Sequence, residues 1–280
     1  MRINLILCLI AVVSICTAQA AESTYSFLPQ ANPFAVSNDR EIAQNDFEWQ
    51  GPILAGRAIE INGIFGNIRS EATSGNQVEV VARKHARRSD PNEVQVRVLK
   101  HDGGVTICAV YPRGEPGEPN ECQPGGGNSH THNNDVRVDF TVRVPSGVRL
   151  VARTVDGDVD AALLNGDVEA SSVLGNIRIS TAGYARAKTV TGSITASLGD
   201  GKWPGQIEFE TITGEISLKL PADLNTEVHA ESTTGNISTD FPLIVRASLT
   251  RQAMNGTIGM GGRRLVLKTI SGPIKLLRAI

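Results

Sequence analysis

From residue 58 onward the chain alternates apolar and polar residues in short segments, and no window sustains a helical period with caps. Ile59-Glu60-Ile61 and Val78-Glu79-Val80 read as short strands punctuated by Gly63, Gly66 and Gly75. Two longer alternating runs, Val94 to Val98 and Val105 to Val110, flank His101-Asp102-Gly103-Gly104, and an Asp-Gly pair between such runs predicts an antiparallel hairpin. Residues 112 to 134 break the pattern with Pro112, Pro116, Pro119, Pro124 and three consecutive glycines, so they read as an inserted surface loop. Strict alternation resumes from Val136 to Val144 and stops at Pro145.

Beyond Val148 one phrase keeps returning: Thr or Ser, an apolar residue, any residue, Gly, a polar residue, then Val or Ile. Its first copy is Thr154-Val155-Asp156-Gly157-Asp158-Val159, and its glycines are Gly157, Gly175, Gly192, Gly214, Gly235, Gly256 and Gly272. They are spaced 18, 17, 22, 21, 21 and 16 residues. Units this small cannot bury a core alone, so the period predicts a β-solenoid in which each turn is stabilised by its neighbours. Aligned on the glycines, the residue two before is Val155, Val173, Val190, Ile212, Thr233, Met254 or Ile270, and the residue two after is Val159, Ile177, Ile194, Ile216, Ile237, Ile258 or Ile274. Period-2 alternation points both columns and the glycine inward, and it puts the Thr/Ser column three before the glycine outside, as a hydroxyl ladder. The glycine then either admits close backbone approach from the opposite wall or supplies a bulge; the sequence leaves both open. The competing architecture is a sandwich of ordinary antiparallel hairpins with recurring Gly turns.

The repeated Thr-Val-x-Gly-x-Val/Ile units, the stretch from Phe140 through Pro145 to Val148, and the segment Glu60 to Ile68 resemble the bacterial putative-adhesin domain family of β-strand repeats. The resemblance spans about residues 47 to 280. It implies an all-β repeat fold and carries no activity or catalytic residue onto this chain, because the family's function is unknown.

The N-terminus changes the picture of where this scaffold works. Arg2, an apolar run from Leu5 to about Ile15 and Ala18-Gln19-Ala20 form a secretory signal peptide over residues 1 to 20, cut near Ala20. Bulky Ile15 before Cys16 fits a lipidation site poorly. Residues 21 to 46 read as a flexible leader, 47 to 147 as an N-terminal β region, and 148 to 280 as the repeat solenoid. No later segment has the ~20 apolar residues of a membrane span. Periplasm, cell surface and medium all remain open as destinations. Once the signal is removed, Cys108 and Cys122 are the remaining thiols of an exported protein, which predicts a disulfide pinning the 112–134 loop. Closing a loop of roughly 15 residues stabilises by about 3 kcal/mol. The formal net charge of -2, with Lys and Arg scattered, argues against a nucleic-acid surface.

Candidate chemistry is sparse. Asp156, Asp158 and Asp160 alternate and should share one outward face, with Asp167 and Glu169 on the next strand; such carboxylates could serve a polysaccharide lyase or hydrolase of the parallel β-helix type, or hold calcium. The same residues could equally be a solvated acidic edge that discourages strand addition. His130 and His132, with Asp135 or Glu121, could ligate a transition metal if the loop were extended. His85, His101 and His229 suggest no site, and the common catalytic motifs are missing. Aromatics make up only 4% of the chain, few for stacking sugars. The expectation is a non-enzymatic, cofactor-free envelope or surface scaffold whose partner is an unidentified envelope or surface protein or glycan.

Overall fold

A computed structural model describes residues 46–113, 120–126, 131–199, 201–249 and 252–279. The segment expected to be a signal peptide, nearly all of the expected leader, and His130 lie outside the described residues. Among those described, the one helical element is a 3-10 turn at Pro91–Glu93, and no helix is long and apolar enough to cross a membrane.

The strands form two sheets. The first, ten strands wide, runs in space β1 (Phe47–Gly51), β4 (Val78–His85), β7 (Arg137–Pro145), β3 (Ile68–Thr73), β9 (Val159–Leu164), β11 (Ile177–Thr181), β13 (Ile194–Leu198), β15 (Ile216–Leu220), β21 (Ile274–Arg278), β17 (Ile237–Thr239). The second, eleven strands wide, runs β18 (Leu243–Leu249), β19 (Ala253–Ile258), β16 (Thr226–Ser232), β20 (Arg264–Ser271), β14 (Ile207–Thr213), β12 (Ala185–Lys188), β10 (Val168–Ser171), β8 (Arg149–Arg153), β2 (Ala58–Asn62), β6 (Gly104–Val110), β5 (Gln95–His101). Each repeat gives one strand to each sheet, and successive repeats pair parallel and in register, as in Ile177 against Ile194 against Ile216. This is a β-solenoid. Antiparallel hairpins close it: β5 with β6, and β18 with β19, flank the parallel stack, and β4 lies antiparallel between β1 and β7. Capping pieces of this kind cover the ends of a stack whose interior rungs cannot stand alone.

The core lies between the sheets and is filled by β-branched and leucine side chains. Val159, Ile177, Ile194, Ile216 and Ile274, five of the seven residues in the column two after the glycine, are fully buried. The column two before is not: Val155, Val173 and Val190 are 39–40% exposed, while Thr154, Ser172 and Thr189 beside them are 5% exposed. The expected faces are thus reversed on that side of the glycine. The reason is a corner. The phrase leaves one sheet, turns at the glycine and enters the other, so alternation does not carry across it. The Thr/Ser ladder therefore lies inside, where each hydroxyl donates to a glycine carbonyl of the adjacent rung: Thr154 to Gly66 (3.0 Å), Ser172 to Gly157 (2.9 Å), Thr189 to Gly175 (3.0 Å), Thr211 to Gly192 (3.0 Å) and Thr269 to Gly214 (3.2 Å). A buried carbonyl left without such a donor costs about 1–3 kcal/mol.

The glycines are needed because the corners stack. A Cβ on Gly175 would sit 1.9 Å from the carbonyl oxygen of Gly157, and one on Gly192 would sit 2.0 Å from that of Gly175. The close approach comes from the neighbouring rung rather than from the opposite wall. The column runs Gly66, Gly157, Gly175, Gly192, Gly214, Gly272, Gly235. One expectation fails here. Gly256 is outside the column: it lies within β19, opposite Val228 and Val245 in antiparallel pairs. Its phrase had already lost the hydroxyl, with Ala253 and Met254 in the two preceding columns. The rungs also do not stack in chain order. The 264–278 rung enters between the 207–220 and 226–239 rungs, and the 58–73 rung enters between β6/β7 and β8/β9.

Candidate functional site

The polar residue after four of the corner glycines, Gly66, Gly157, Gly175 and Gly192, has a structural task. Asp139 Oδ1 accepts the backbone N–H of Asn67 (2.7 Å), Asn67 that of Asp158 (2.9 Å), Asp158 that of Asn176 (2.7 Å), Asn176 that of Ser193 (3.0 Å), and Ser193 that of Glu215 (3.3 Å). Short polar side chains at this position tie rung to rung. Asp158, a candidate catalytic carboxylate, is one link in that ladder. Asp156 pairs with Arg137 from β7 at 3.5 Å, and Asp160 stands on β9 between Arg69 and Arg178 of the adjacent strands. All three are partly exposed.

The loop that was the candidate metal centre is fastened at both ends. Cys108 and Cys122 are joined, with 5.5 Å between their Cα atoms. Asn120 donates to the Tyr111 carbonyl (2.9 Å), and the Tyr111 hydroxyl, buried against Phe65, donates to the Val136 carbonyl (2.8 Å). Burial pushes the Tyr111 phenol above its ordinary range. Among the described residues no three His, Cys, Asp or Glu side chains converge as metal ligands. His132 is exposed, Glu121 accepts from Gln123 (3.1 Å), and Asp135 accepts the N–H groups of Ser89 (2.8 Å) and Arg88 (3.2 Å).

Those Ser89 hydrogen bonds, backbone first and then side chain, pull the Asp135 carboxyl from its ordinary 3.8 down to about 2. A carboxyl depressed in the folded state adds stability that is fully present above its unfolded value and is lost as pH falls through the folded value. Asp135→Asn should therefore remove part of the acid sensitivity of unfolding between about pH 4 and pH 2 while leaving neutral-pH behaviour nearly flat. Denaturant melts across that range read it directly; identical pH profiles for both proteins would refute it.

Gly125 of the loop also reaches the second sheet. Glu60 projects outward from β2, yet its side chain is only 8% exposed. Both carboxylate oxygens accept the N–H of Gly125 (2.9 and 3.1 Å), Thr106 donates to one (3.1 Å), and Arg153 contacts the other. Arg153 also pairs with Glu169 at 2.9 Å. A carboxylate this buried persists because it is paired and hydrogen-bonded. His101, a residue the sequence leaves isolated, reaches Thr106 (3.0 Å) and so joins this network.

From there a charged trough runs along the outer face of the second sheet. One row crosses β2, β8, β10 and β12 as Glu60, Val151, Glu169 and Arg186, and continues over β14, β20, β16 and β19 as Glu208, Val266, His229 and Asn255. The adjacent row holds Arg153, Ser171, Lys188, Glu210, Lys268 and Glu231. Two hollows open along it. One, about 460 Å³, is lined by Arg153, Glu169, Arg186, Lys188 and Glu208. Its cations are occupied: Lys188 pairs with Glu208 (2.9 Å) and Glu210 (3.0 Å), whose hydrogen bonds hold its ammonium above the usual lysine range. The other, about 430 Å³, is lined by Glu227, His229, Asn255, Thr257, Arg264 and Lys268, with Gln206 shared between the two. Sequence reasoning missed this face because its pairs lie far apart in the chain; Arg153 and Glu60 are 93 positions apart. His229 and Asn255 hydrogen-bond across an antiparallel pair whose register no sequence motif signals.

Stacked glycine corners, an internal hydroxyl ladder and two mixed sheets whose repeat rungs pair parallel define a β-solenoid repeat protein. The chain belongs to the family described as Toastrack DUF4097, which matches residues 131–277 and so takes in the repeats but not β1 to β6. It is similar to the crystal structure of a putative cell adhesion protein from Clostridium sporogenes, with 13% identity, a TM-score of 0.46, and 84% of this chain and 100% of that one covered. It is also similar to putative adhesins from Bacteroides fragilis (14% identity, TM-score 0.24, 83% and 97% covered) and Parabacteroides distasonis (8%, 0.23, 84% and 97%). No curated protein matches the chain.

Proposed function

We propose that the protein is an exported, non-enzymatic scaffold of the cell envelope or surface, whose binding face is the trough on the second sheet together with the loop held by Cys108 and Cys122. The observation that carries this reading is the use made of the carboxylates. Asp158 spends Oδ1 on the rung ladder and Asp156 faces Arg137, whereas the long charged side chains on the second sheet surround open hollows. A rigid ladder that positions variable polar groups is the physical arrangement of a binding module. The signal-type N-terminus and the disulfide support an oxidising location.

Two measurements test it. Fractionation of cells carrying a C-terminally tagged chain should find a processed form, cut near Ala20, outside the cytoplasm; an unprocessed cytoplasmic protein would refute export. Incubation of purified protein with acidic and neutral glycans plus calcium should release no product. Turnover that disappears in Asp158→Asn would replace this reading with a polysaccharide lyase or hydrolase.

A further inference from the structure

The corner residue two before the glycine points outward, and in five stacked rungs it is apolar. Val155, Val173, Val190, Ile212 and Ile270 are 39–52% exposed, and the sixth rung carries the exposed Thr233. Backbone bonds from Val173 to Val155 and from Ile212 to Val190 (3.2 Å each), with Thr211 and Ser232 both in register with Thr269, keep these side chains in one line. Six rungs make a ridge about 24 Å long. The corner does not demand an apolar residue, since Thr233 fills it; a contiguous exposed apolar row marks a contact surface. Beside the ridge, two residues earlier on each strand, runs the outward row Arg153, Ser171, Lys188, Glu210, Lys268 and Glu231. Both signs of charge occur in it.

We infer that this ridge is the interface of a twofold dimer, with a second copy of the chain lying antiparallel across it. An axis between the Val190 and Ile212 rungs sets Val190 on Ile212, Val173 on Ile270 and Val155 on Thr233 of the other copy. The same rotation sets Lys188 against Glu210, Arg153 against Glu231 and Ser171 against Lys268, so no like charges meet. Register is thereby specified. A slip of one rung sets Lys188 against itself and Arg153 against Lys268 in one direction, or Glu210 against itself and Lys188 against Lys268 in the other. Lys188 and Glu210 already lie 3.0 Å apart with side chains 55% and 42% exposed, so across the axis they form a square of alternating charge with their counterparts. An anionic lipid surface asks for cations alone beside an apolar ridge, whereas this row carries both signs. A contact about 24 Å long and two rows wide is at the low end of specific interfaces, so the dimer is concentration-dependent. It brings the troughs of both copies onto one face of the pair. This goes beyond the proposed binding role and depends on no ligand.

The test is sedimentation equilibrium of purified protein up to about 0.5 mM, a range that reaches weak interfaces, in about 0.15 M salt, where charges more than about 8 Å apart are largely screened. The native chain should show a reversible monomer–dimer equilibrium. Ile212→Ser should weaken it about tenfold or more, because the axis repeats each loss in both copies. Lys188→Glu and Glu210→Lys, each alone, set like charges across the axis and should also weaken it about tenfold or more. Their equimolar mixture should dimerise about as tightly as the native protein, since one copy then presents two carboxylates at the axis and the other two ammonium groups. All three side chains are on the solvent face, so thermal melts serve to show that the variants fold. A monomer over the whole range, or association unchanged in Ile212→Ser, would overturn the interface. A mixture no tighter than either charge variant alone would overturn the antiparallel register.

Discussion

Gly214→Val should abolish the cooperative unfolding transition of the repeats or lower the denaturant midpoint beyond that of any other single substitution in them. A Cβ at this position would lie 2.0 Å from the carbonyl oxygen of Gly192, 2.5 Å from its carbon and 3.0 Å from the backbone nitrogen of Ser193. All three are main-chain atoms of the rung beneath, so no side chain can swing aside. The rungs must separate at the corner. That breaks the bond from the Gly192 N–H to the Thr213 carbonyl (2.9 Å) and pulls the Thr211 hydroxyl from the Gly192 carbonyl. Gly214 also holds φ at +153°, which a β-branched residue rarely adopts. Overpacking alone costs about 1–3 kcal/mol, and the lost hydrogen bonds and backbone strain each add about 1 kcal/mol or more. The total approaches the 5–15 kcal/mol that holds a domain together. Gly205→Val is the control, because its φ is also positive, at +80°, but nothing lies within 4 Å of its Cβ. Urea melts followed by circular dichroism compare the two; equal losses would show that backbone conformation, not stacking, is the constraint.

That contrast marks how far the sequence could be read. The glycine period is legible because stacking forbids any side chain at each corner, and the Ile216-type column is legible because those positions are fully buried. Thr211 and Ile212 exchanged their expected places because a corner interrupts alternation, and nothing local announces where a strand stops and a corner starts. Gly256-Thr257-Ile258 carries the second half of the phrase at the repeat spacing and so resembles a corner; Ala253 in the hydroxyl column is the warning against it. The trough was not legible at all. Its rows are assembled by register between rungs, and the pairing of His229 with Asn255 depends on an antiparallel hairpin that breaks the repeat.

Register also hides the most consequential feature of the stack, which is that the 264–278 rung is a wedge. It separates two rungs that precede it in the chain. Gly214 and Ile216 donate to the carbonyls of Ser271 and Pro273 (2.8 and 3.0 Å), while on the other side Ile274 donates to Asn236 (3.0 Å) and Asp240 to Leu276 (2.9 Å). Leu265, Leu267, Ile274 and Leu276 are all fully buried, and four such side chains contribute about 6–12 kcal/mol of hydrophobic stabilisation before entropy is counted. A protein ending at residue 262 should therefore lose more than its last rung. The 226–239 rung and its hairpin β18–β19 would have no parallel neighbour to stack upon, because the 207–220 rung lies two strand spacings away, about 9.6 Å. Nearest-neighbour coupling then predicts that residues 226 to 258 become protease-sensitive while the rungs from 149 to 220 stay protected. A synthetic peptide spanning residues 262 to 280 should restore protection in trans by refilling the gap. Limited proteolysis with mass spectrometry, with and without peptide, reads both outcomes. If the shortened protein stays protected throughout, Gly235 has closed directly onto Gly214, and the wedge is one of two stackings of nearly equal stability.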